Sequence, residues 1–461
     1  AVQTQNERPA SQKSGASLVS SRRSPDPTLL TQGSGKRSDT VSQPNVHRED
    51  ILSPRPTGRQ RGYLFPTEEY RFPTKPHRDR QGPTHDKTET IYLKNTIRMK
   101  PIRILLLLAL LSGPCLTARA QKVEPLMLED SASWSMVLLP DPQSYVKYGY
   151  NQPLLEVMTR WIRYNVERLN IRLVLCTGDM VEENFRTVSG GDGWPGDQPS
   201  TEQWESVSRS FGMLDDTIPY ILCTGNHDYG YKSSENRYSQ LNSYFPPNRD
   251  SRYAELLTGM FENAAGVKTI ENAWYEFKAP TGENYLIVSL EFQPRRAIVE
   301  AARELVARPE YRDHRVIWLT HGYMNSEVLG NSLISQNDYP TLTDVTLGDA
   351  LWRELIEPSA NSSMVLCGHV VDDMSHRGHV GFRTDKNRAG RNVHQMMFNA
   401  QAEGGGWEGN GGDGWLRVLE FHPDGRTVTV HTFSPLLGII PSTVGISLRT
   451  EPYDHFSFTL D

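Results

Sequence analysis

Five short apolar runs between residues 137 and 367 each end at a polar side chain. The runs are nearly continuous rather than alternating, which indicates strands that are buried on both faces of a sheet. The polar motifs that follow them are Asp141-Pro-Gln143, Gly178-Asp179, Gly225-Asn226-His227-Asp228, His321-Gly322 and Gly368-His369. Because side chains at the carboxyl ends of strands meet at one edge of an α/β sheet, the pattern predicts a single polar site.

Segments with helical spacing alternate with these runs. Apolar residues recur at i, i+3, i+4 and i+7 over 152–170, which predicts a helix, and helices are also predicted over 203–214, 296–307 and 347–356. Strands are predicted on both sides of a turn within 272–292, and at 392–400, 415–421 and 427–433. Alternating elements followed by a strand-rich end predict an α/β fold of mixed sheets covered by helices.

The first 98 residues differ in kind from the rest. They contain 17 Lys and Arg, 10 Asp and Glu, no Met or Cys, and no sustained apolar period. Such a stretch buries too little surface to offset the entropy of ordering it. We therefore predict that 1–98 is a disordered or untranslated N-terminal extension.

Residues 99–120 have the organisation of a secretory signal peptide. Its features are the first Met of the chain at Met99, basic Lys100 and Arg103, an apolar run at 104–111, and the small-x-small site Ala118-Arg-Ala120. The apolar run is shorter than the roughly 20 residues that span a bilayer. The pattern predicts cleavage, export to the periplasm or cell exterior, and no membrane association of the mature domain 121–461.

Net charge changes once these two segments are set aside. The whole chain carries −6, but 1–98 carries +7 and 99–120 carries +3, so that 121–461 carries −16. An acidic body argues against nucleic acid as a stable partner, because phosphate backbones are bound by clustered Lys and Arg. It favours a soluble, exported protein.

Three cysteines remain in the predicted mature domain: Cys176, Cys223 and Cys367. Each lies close before a motif glycine at the end of an apolar run. An odd number without short pair spacing does not describe a disulfide framework. We expect small buried residues that pack behind the site.

Two loops rich in glycine and tryptophan, 189–197 and 403–415, lie between the predicted elements. Trp194 and Trp407 would be poorly buried in plain connections of this composition. Loops this rich in glycine are more often plain connections, and the alternative is that at least one of them faces a substrate.

The motifs suit the hydrolysis of a phosphate ester. Two divalent metal ions roughly 3.5–4 Å apart acidify a bridging water and clamp the phosphoryl oxygens. Carboxylate, carboxamide and imidazole ligands favour Mn, Fe or Zn over Ca²⁺. One carboxylate must contact both ions, and Asp179 is the candidate because its motif lies in the middle of the order.

The five motifs and their order, over about 135–435, resemble the calcineurin-like metallophosphoesterases, including secreted bacterial members with an Asp-x-Gln first motif. The resemblance implies a four-layer α-β-β-α sandwich with two mixed sheets. It also implies a metal-dependent phosphatase or phosphodiesterase. The ligands that it implies are Asp141 and Gln143 for the first metal, Asp179 as the bridge, and Asn226, His321 and His369 for the second metal.

The same resemblance implies that His227 contacts phosphate and protonates the leaving group, steered by Asp228. A carboxylate beside an imidazole fixes the tautomer and supports the charged form.

Two positions depart from the family pattern. Many members have His where this chain has Gln143, and a further His where it has Val371. A carboxamide is a weaker donor than imidazole and valine is no donor, so the first metal site is short of ligands. The nearby residues considered as replacements are Asp372, Asp373, His376 and His394, of which His394 is the preferred one.

The sequence thus predicts an exported enzyme that hydrolyses a small or exposed phosphate ester with a metal-activated water. The alternative is a non-catalytic extracellular metal-binding module that keeps the same fold.

Overall fold

Fourteen strands form two mixed sheets in residues 126–189, 195–372 and 375–461, the parts of the chain that the computed structural model describes. The predicted extension 1–98 and signal peptide 99–120 lie outside the described residues, as do Trp194 and Asp373. In the described parts, no helix is both long and apolar enough to cross a bilayer.

The strands follow one another in chain order as β1 (Trp134–Leu139), β2 (Ile171–Cys176), β3 (Tyr220–Leu222), β4 (Leu257–Glu262), β5 (Lys268–Lys278), β6 (Asn284–Ser289), β7 (Arg315–Leu319), β8 (Ser362–Cys367), β9 (Val380–Lys386), β10 (Asn392–Phe398), β11 (Leu416–Phe421), β12 (Thr427–Phe433), β13 (Leu448–Arg449) and β14 (Phe456–Thr459). The first sheet has the order β13-β12-β11-β1-β2-β3, with β14 also paired to β12. The second has the order β4-β5-β6-β7-β8-β10-β9. Strands β1 to β3 are parallel to one another, and so are β6, β7, β8 and β10.

The helices are α1 (Gln143–Val146), α2 (Gln152–Asn165), α3 (Ser200–Gly212), α4 (Leu241–Tyr244), α5 (Ser251–Leu256), α6 (Arg296–Val306), α7 (Gly348–Leu351) and α8 (Pro435–Ile439). Short 3-10 turns lie at Pro309–Tyr311, Glu327–Leu329, His376–His379 and Val444–Ile446, and a π-helical turn at Trp352–Ile356 follows α7. The four predicted helices are therefore present, although 347–356 is divided between α7 and the π turn.

Side-chain alternation along β6 shows how the layers are built. Tyr285 and Ile287 belong to the core between the two sheets, whereas Leu286 and Val288 pack in a second cluster with α6. Successive side chains of a strand point to opposite faces, so this strand is covered on both sides. The predicted α/β fold, a four-layer α-β-β-α sandwich of two mixed sheets, is confirmed.

Aromatic side chains join the layers. Trp134 of β1 stacks on Phe421 of β11 with ring centroids 4.1 Å apart, and meets Tyr285 of the other sheet edge-on at 5.9 Å. On the opposite face, Trp161 of α2 lies 4.9 Å from Phe433 of β12. Large aromatic groups bury much apolar area and favour tilted or offset contacts of this kind.

The strands predicted within 272–292 and beyond 392 are also present, as β5, β6, β10, β11 and β12. Strands β4, β9, β13 and β14 were not predicted from the sequence. The side chains of β4 are only partly buried and its pairing with β5 shifts register twice, so it lacks an alternating pattern. The three cysteines of the described residues are buried and free, as expected for packing residues.

Glu420 fastens the first described residues to the sheet. Its buried carboxylate accepts the backbone N–H groups of Glu129 at 2.8 Å and Asp130 at 3.0 Å, and lies 2.9 Å from Nε2 of His431. Burial alone would raise the pKa of Glu420, but these hydrogen bonds outweigh it and lower the pKa to about 2.

Because the folded pKa of Glu420 is depressed, its contribution to stability is present above pH 4.5 and is lost as the pH falls towards about 2. We predict that Glu420→Gln lowers the free energy of unfolding at neutral pH and removes about 2 kcal/mol of its acid dependence. Urea unfolding across this pH range measures both effects. Glu354→Gln, at an exposed ion pair, is the control, and an unchanged acid dependence in Glu420→Gln would contradict the prediction.

Candidate metal centre

The carboxyl ends of three strands of the first sheet and two strands of the second meet where the two sheets face each other. Asp141 follows β1, Asp179 follows β2, Asn226 follows β3, His321 follows β7 and His369 follows β8. Ligand atoms of Asp179, His321 and His369 all lie within 4.8 Å of one another. The structure thus brings the predicted strand-end residues into one cluster.

His321 lies at the centre of this cluster. Its Nδ1 is 2.7 Å from the carbonyl oxygen of Thr177, which only accepts hydrogen bonds, so Nδ1 carries a proton. Its Nε2 is 3.0 Å from Asp179 Oδ2, 3.0 Å from Asn226 Oδ1 and 3.2 Å from His369 Nδ1. Unless Nε2 binds a proton or a metal ion, its lone pair faces two oxygen atoms. A cation among these four atoms removes that repulsion, so the donor set fits a metal ion.

Two glycines are required by the close approach of the strand ends. A Cβ atom on Gly225 would overlap a carboxylate oxygen of Asp179, and one on Gly368 would overlap Asp141. Asp179 and His369 themselves have left-handed backbones, with φ of 48° and 73°. Conformations of this kind are uncommon outside glycine and concentrate at functional sites.

Asp141 holds the two sheets together at the site. Oδ1 accepts the hydroxyl of Thr177 at 2.7 Å, and Oδ2 accepts the backbone N–H of His369 at 2.8 Å. Oδ2 also accepts the amides of Asn399 at 2.8 Å and Gln401 at 3.3 Å, which follow β10. Asn399 and Gln401 were not predicted. The available signal was the polar Asn-Ala-Gln segment after an apolar run, which matches the strand-end pattern of the other five motifs.

Gln143 has a carbonyl oxygen suited to a metal ion. The residue is 1% exposed, its Oε1 has no hydrogen-bond partner, and its side chain lines the cleft beside Asp179 and Gln401. A buried acceptor left without a donor is costly. A cation beside Asp141 would satisfy it, so the residues of the first site also fit a metal.

Buried negative charge also favours cations. Asp141, Asp179 and Asp228 are all buried, and burial together with Asp179 raises the pKa of Asp141 to about 7 and of Asp228 to about 8. Burial lowers the pKa of His321, but Asp179 and Asp141 outweigh it and raise the pKa to about 9. Buried charges persist when they are paired or bind metals.

His227 is positioned by Glu182 rather than by Asp228. Its Nδ1 lies 2.9 Å from the backbone oxygen and 4.0 Å from the carboxylate of Glu182. The carboxylate of Asp228 instead accepts the backbone N–H groups of Gly225 at 2.8 Å and Val181 at 3.3 Å. The prediction that Asp228 steers His227 is therefore wrong. The side chain of Asp228 points back towards the backbone and stabilises the loop through these two hydrogen bonds.

The position of His227 suits a proton donor. Its side chain lines the cleft, and donation from Nδ1 to Glu182 leaves Nε2 as the nitrogen that titrates. Burial lowers the pKa of His227, but the carboxylates of Glu182 and Asp179 outweigh it, so the pKa is raised above its usual value.

His394 does not join the cluster. Its Nδ1 lies 3.0 Å from the Thr384 hydroxyl, its Nε2 lies 3.0 Å from the Thr459 carbonyl oxygen, and its ring packs on Phe458. It precedes Asn399 by five residues, which is roughly 16 Å along a strand. The expectation that His394 supplies the missing ligand is corrected for this reason.

The other two replacements that the structure describes have different positions. Asp372 lines the cleft, but its Oδ2 accepts the N–H of Ser326 at 2.9 Å as well as the Ser326 hydroxyl. His376 belongs to a separate cluster, in which its Nε2 lies 2.8 Å from Asp454.

The cleft above the cluster has a volume of about 700 Å³, within the usual range for small-ligand sites. Trp407 lines it, together with Tyr339 and the apolar side chains of Leu333 and Ile334. Nζ of buried Lys147 lies 4.0 Å from the centre of the Trp407 ring, which holds the indole by a cation–π contact. Trp407 therefore faces the cleft, as the second of the two alternatives for these loops requires.

Residues 149–373 match the model of the family described as calcineurin-like phosphoesterase. The match covers 225 of the 461 residues, and this part of the chain is similar to the calcineurin-like phosphoesterases. Asp179, Asn226, His321 and His369 lie inside the matched range, whereas Asp141 precedes it.

One curated relative is the uncharacterized protein YvnB of Bacillus subtilis (strain 168), which is 28% identical over 303 residues. The alignment covers 66% of this chain and 20% of that protein, so the chain spans about a fifth of the relative's length.

Solved structures with a similar fold come from several organisms. A dimetal phosphatase from Danio rerio has 11% identity and a TM-score of 0.40, covering 71% of this chain and 99% of its own. GAP50, the anchor in the inner membrane complex of Plasmodium, has 10% identity and a TM-score of 0.37, covering 71% and 89%. A 5'-nucleotidase from Candida albicans has 12% identity and a TM-score of 0.29, covering 62% and 48%.

We predict that Asn399→Ala weakens metal binding by roughly 10–100-fold, because groups that orient a ligand carboxylate tune its affinity. Calorimetric titration of metal-stripped protein with Mn²⁺ measures the effect. His394→Ala is the matched control: it removes a buried polar side chain from the same strand region and leaves the affinity unchanged. Equal affinities in the two variants would show that the hydrogen bond to Asp141 has no part in metal binding.

Proposed function

We propose that this protein hydrolyses a small or exposed phosphate ester at a site holding two divalent metal ions, with Mn, Fe or Zn as the candidates. The observation that carries the proposal is the convergence of Asp179 Oδ2, Asn226 Oδ1 and His369 Nδ1 on His321 Nε2, at 3.0 to 3.2 Å. The buried carbonyl oxygen of Gln143 and the excess of buried carboxylates support it.

The side chains divide into two ligand sets. In this proposal Asp141 and Gln143 would hold one ion, Asn226, His321 and His369 would hold the other, and Asp179 would serve both. When bound, the ions supply an acidified water as nucleophile and neutralise the phosphoryl oxygens.

The protein's own acid is His227. Glu182 fixes Nδ1 as the protonated nitrogen, so Nε2 is the atom that delivers a proton to the departing alkoxide. The raised pKa keeps the ring protonated to higher pH than an ordinary histidine, as an acid in this role requires.

The side chains that line the cleft suit a substrate with a compact organic group beside its phosphate. Its floor is polar, whereas Trp407, Tyr339 and Leu333 provide an aromatic and apolar wall. We also propose export under the predicted signal peptide 99–120, no stable nucleic-acid partner for the acidic mature domain, and no membrane association after cleavage.

We predict that His227→Ala slows esters with poor leaving groups by roughly 10²–10⁴-fold, the usual contribution of general acid catalysis. Nitrophenyl esters should lose far less, because nitrophenolate departs without a proton. Steady-state kinetics on an alkyl phosphate and a nitrophenyl phosphate measure the difference, with metal content as a parallel readout.

His455→Ala removes a partly exposed histidine whose Nδ1 lies 3.1 Å from the Val430 carbonyl oxygen, and it is the control that leaves both rates unchanged. Equal losses on the two esters in His227→Ala would remove His227 from the acid role. A fall in metal content would assign its effect to the site's structure instead.

The two metal sites should differ in affinity. Asp141 already accepts four hydrogen bonds, and Gln143 is a weak donor, whereas two imidazoles serve the other site. We predict one tightly held and one readily stripped ion, with hydrolysis of mono- and bis-p-nitrophenyl phosphate returning steeply as Mn²⁺ is restored. Titration calorimetry with parallel assays tests this prediction, and two equal tight sites would contradict it.

Metal binding without turnover of either ester would instead identify a non-catalytic metal-binding module.

A further inference from the structure

A second group of metal-binding side chains lies outside the cluster described above. His376 and His379 belong to the 3-10 turn His376–His379, and Glu403 lies in the loop after β10. One ligand atom from each lies within 4.8 Å of the others. We propose that these three side chains bind a further divalent transition-metal ion, Zn²⁺ by the nature of the donors, which is separate from the two ions of the proposed phosphoesterase site.

The hydrogen bonding of the His376 ring indicates that one of its nitrogens binds a ligand. Its Nε2 lies 2.8 Å from Asp454 Oδ1, and the buried carboxylate accepts the proton of that nitrogen. Nδ1 is then the nitrogen with a lone pair. It has no hydrogen-bond partner, the residue is only 7% exposed, and the nearest acidic oxygen is Glu403 Oε1 at 3.6 Å. A lone pair facing a carboxylate oxygen requires a positive charge between them.

The contact with Asp454 is the arrangement that metal-bound histidines usually have. Such a histidine donates its other ring N–H to a carboxylate, which fixes the tautomer and strengthens the donor nitrogen. Asp454 is held in turn by Arg417, whose guanidinium lies 3.6 Å from the same oxygen. Buried His376 is therefore oriented with one nitrogen towards Asp454 and the other towards Glu403.

Glu403 has one oxygen available for the ion. Its Oε2 lies 3.2 Å from Arg449, while Oε1 faces His376 at 3.6 Å. Donors around tetrahedral zinc are roughly 3.3–3.5 Å apart, given bonds of about 2.0–2.2 Å. The observed spacing is close to this value, and two imidazoles with one carboxylate form a known type of zinc ligand set.

The position of the group suggests a structural role for the ion. The backbone N–H of Asn399 donates to the carbonyl oxygen of His379 at 2.8 Å, and Glu403 lies four residues after Asn399. An ion here would tie the turn His376–His379 to the loop that supplies Asn399 and Gln401 to Asp141. It would thereby brace the phosphoesterase site from behind without contacting substrate.

The test is the metal content of the full chain after loading with Zn²⁺ and removal of free metal. We expect His379→Ala and Glu403→Ala each to hold one equivalent less than the unaltered protein. His431→Ala is the matched control, because it removes another buried histidine that lies 2.9 Å from a glutamate, and it should hold the full complement. Equal metal content in all four proteins would overturn the proposal.

Anomalous diffraction at the zinc edge, on crystals of the unaltered protein, tests the site independently of whether the variants fold. A peak within bonding distance of His376 Nδ1 and Glu403 Oε1 supports the proposal. Peaks confined to the cluster around His321 would identify His376 as a protonated member of a buried ion-pair network and overturn it. Both tests measure the metal bound at this one site. Their result therefore does not depend on whether the protein has phosphoesterase activity.

Discussion

The buried carboxylate of Asp141 is the point on which the site depends. It extends from the first sheet and receives donors from the ends of β8 and β10 in the second, through His369, Asn399 and Gln401. A carboxylate without water must find its donors within the protein. The two sheets therefore face each other in a register that supplies them, and the same register brings Asp179 and Asn226 against the imidazole of His321.

Much of the fold and some of the residues of the site can be predicted from the sequence. Continuous apolar runs identify strands covered on both faces, and a polar residue directly after each run lies at the shared edge. Asp179 and His321 were found in this way although 142 residues separate them. The inference holds because strand ends are set by the sheet, whereas strand β4, partly exposed and irregularly paired, leaves no such pattern.

Hydrogen-bond partners that depend on the direction of a side chain could not be predicted from the sequence. His394 has the right chemistry, but it lies mid-strand with both ring nitrogens engaged, whereas Asn399 at the strand end is an unremarkable residue type. Asp228 follows His227 directly, yet its carboxylate folds back onto the loop and Glu182, 45 residues earlier, takes its place. Adjacency in sequence does not determine the direction of a side chain. That direction depends on the loop conformation, which is set by tertiary contacts.

The segment after β10 combines two properties in a few residues. Its first residues, Asn399 and Gln401, hold Asp141, and Trp407, a few residues later, forms the wall of the cleft. Substitutions that reshape the wall would therefore also shift the groups that hold Asp141. Evolution of specificity along this loop is constrained by the need to keep the donors of Asp141 in place, whereas Leu333 and Ile334, which line the same cleft from another segment, are free of that constraint.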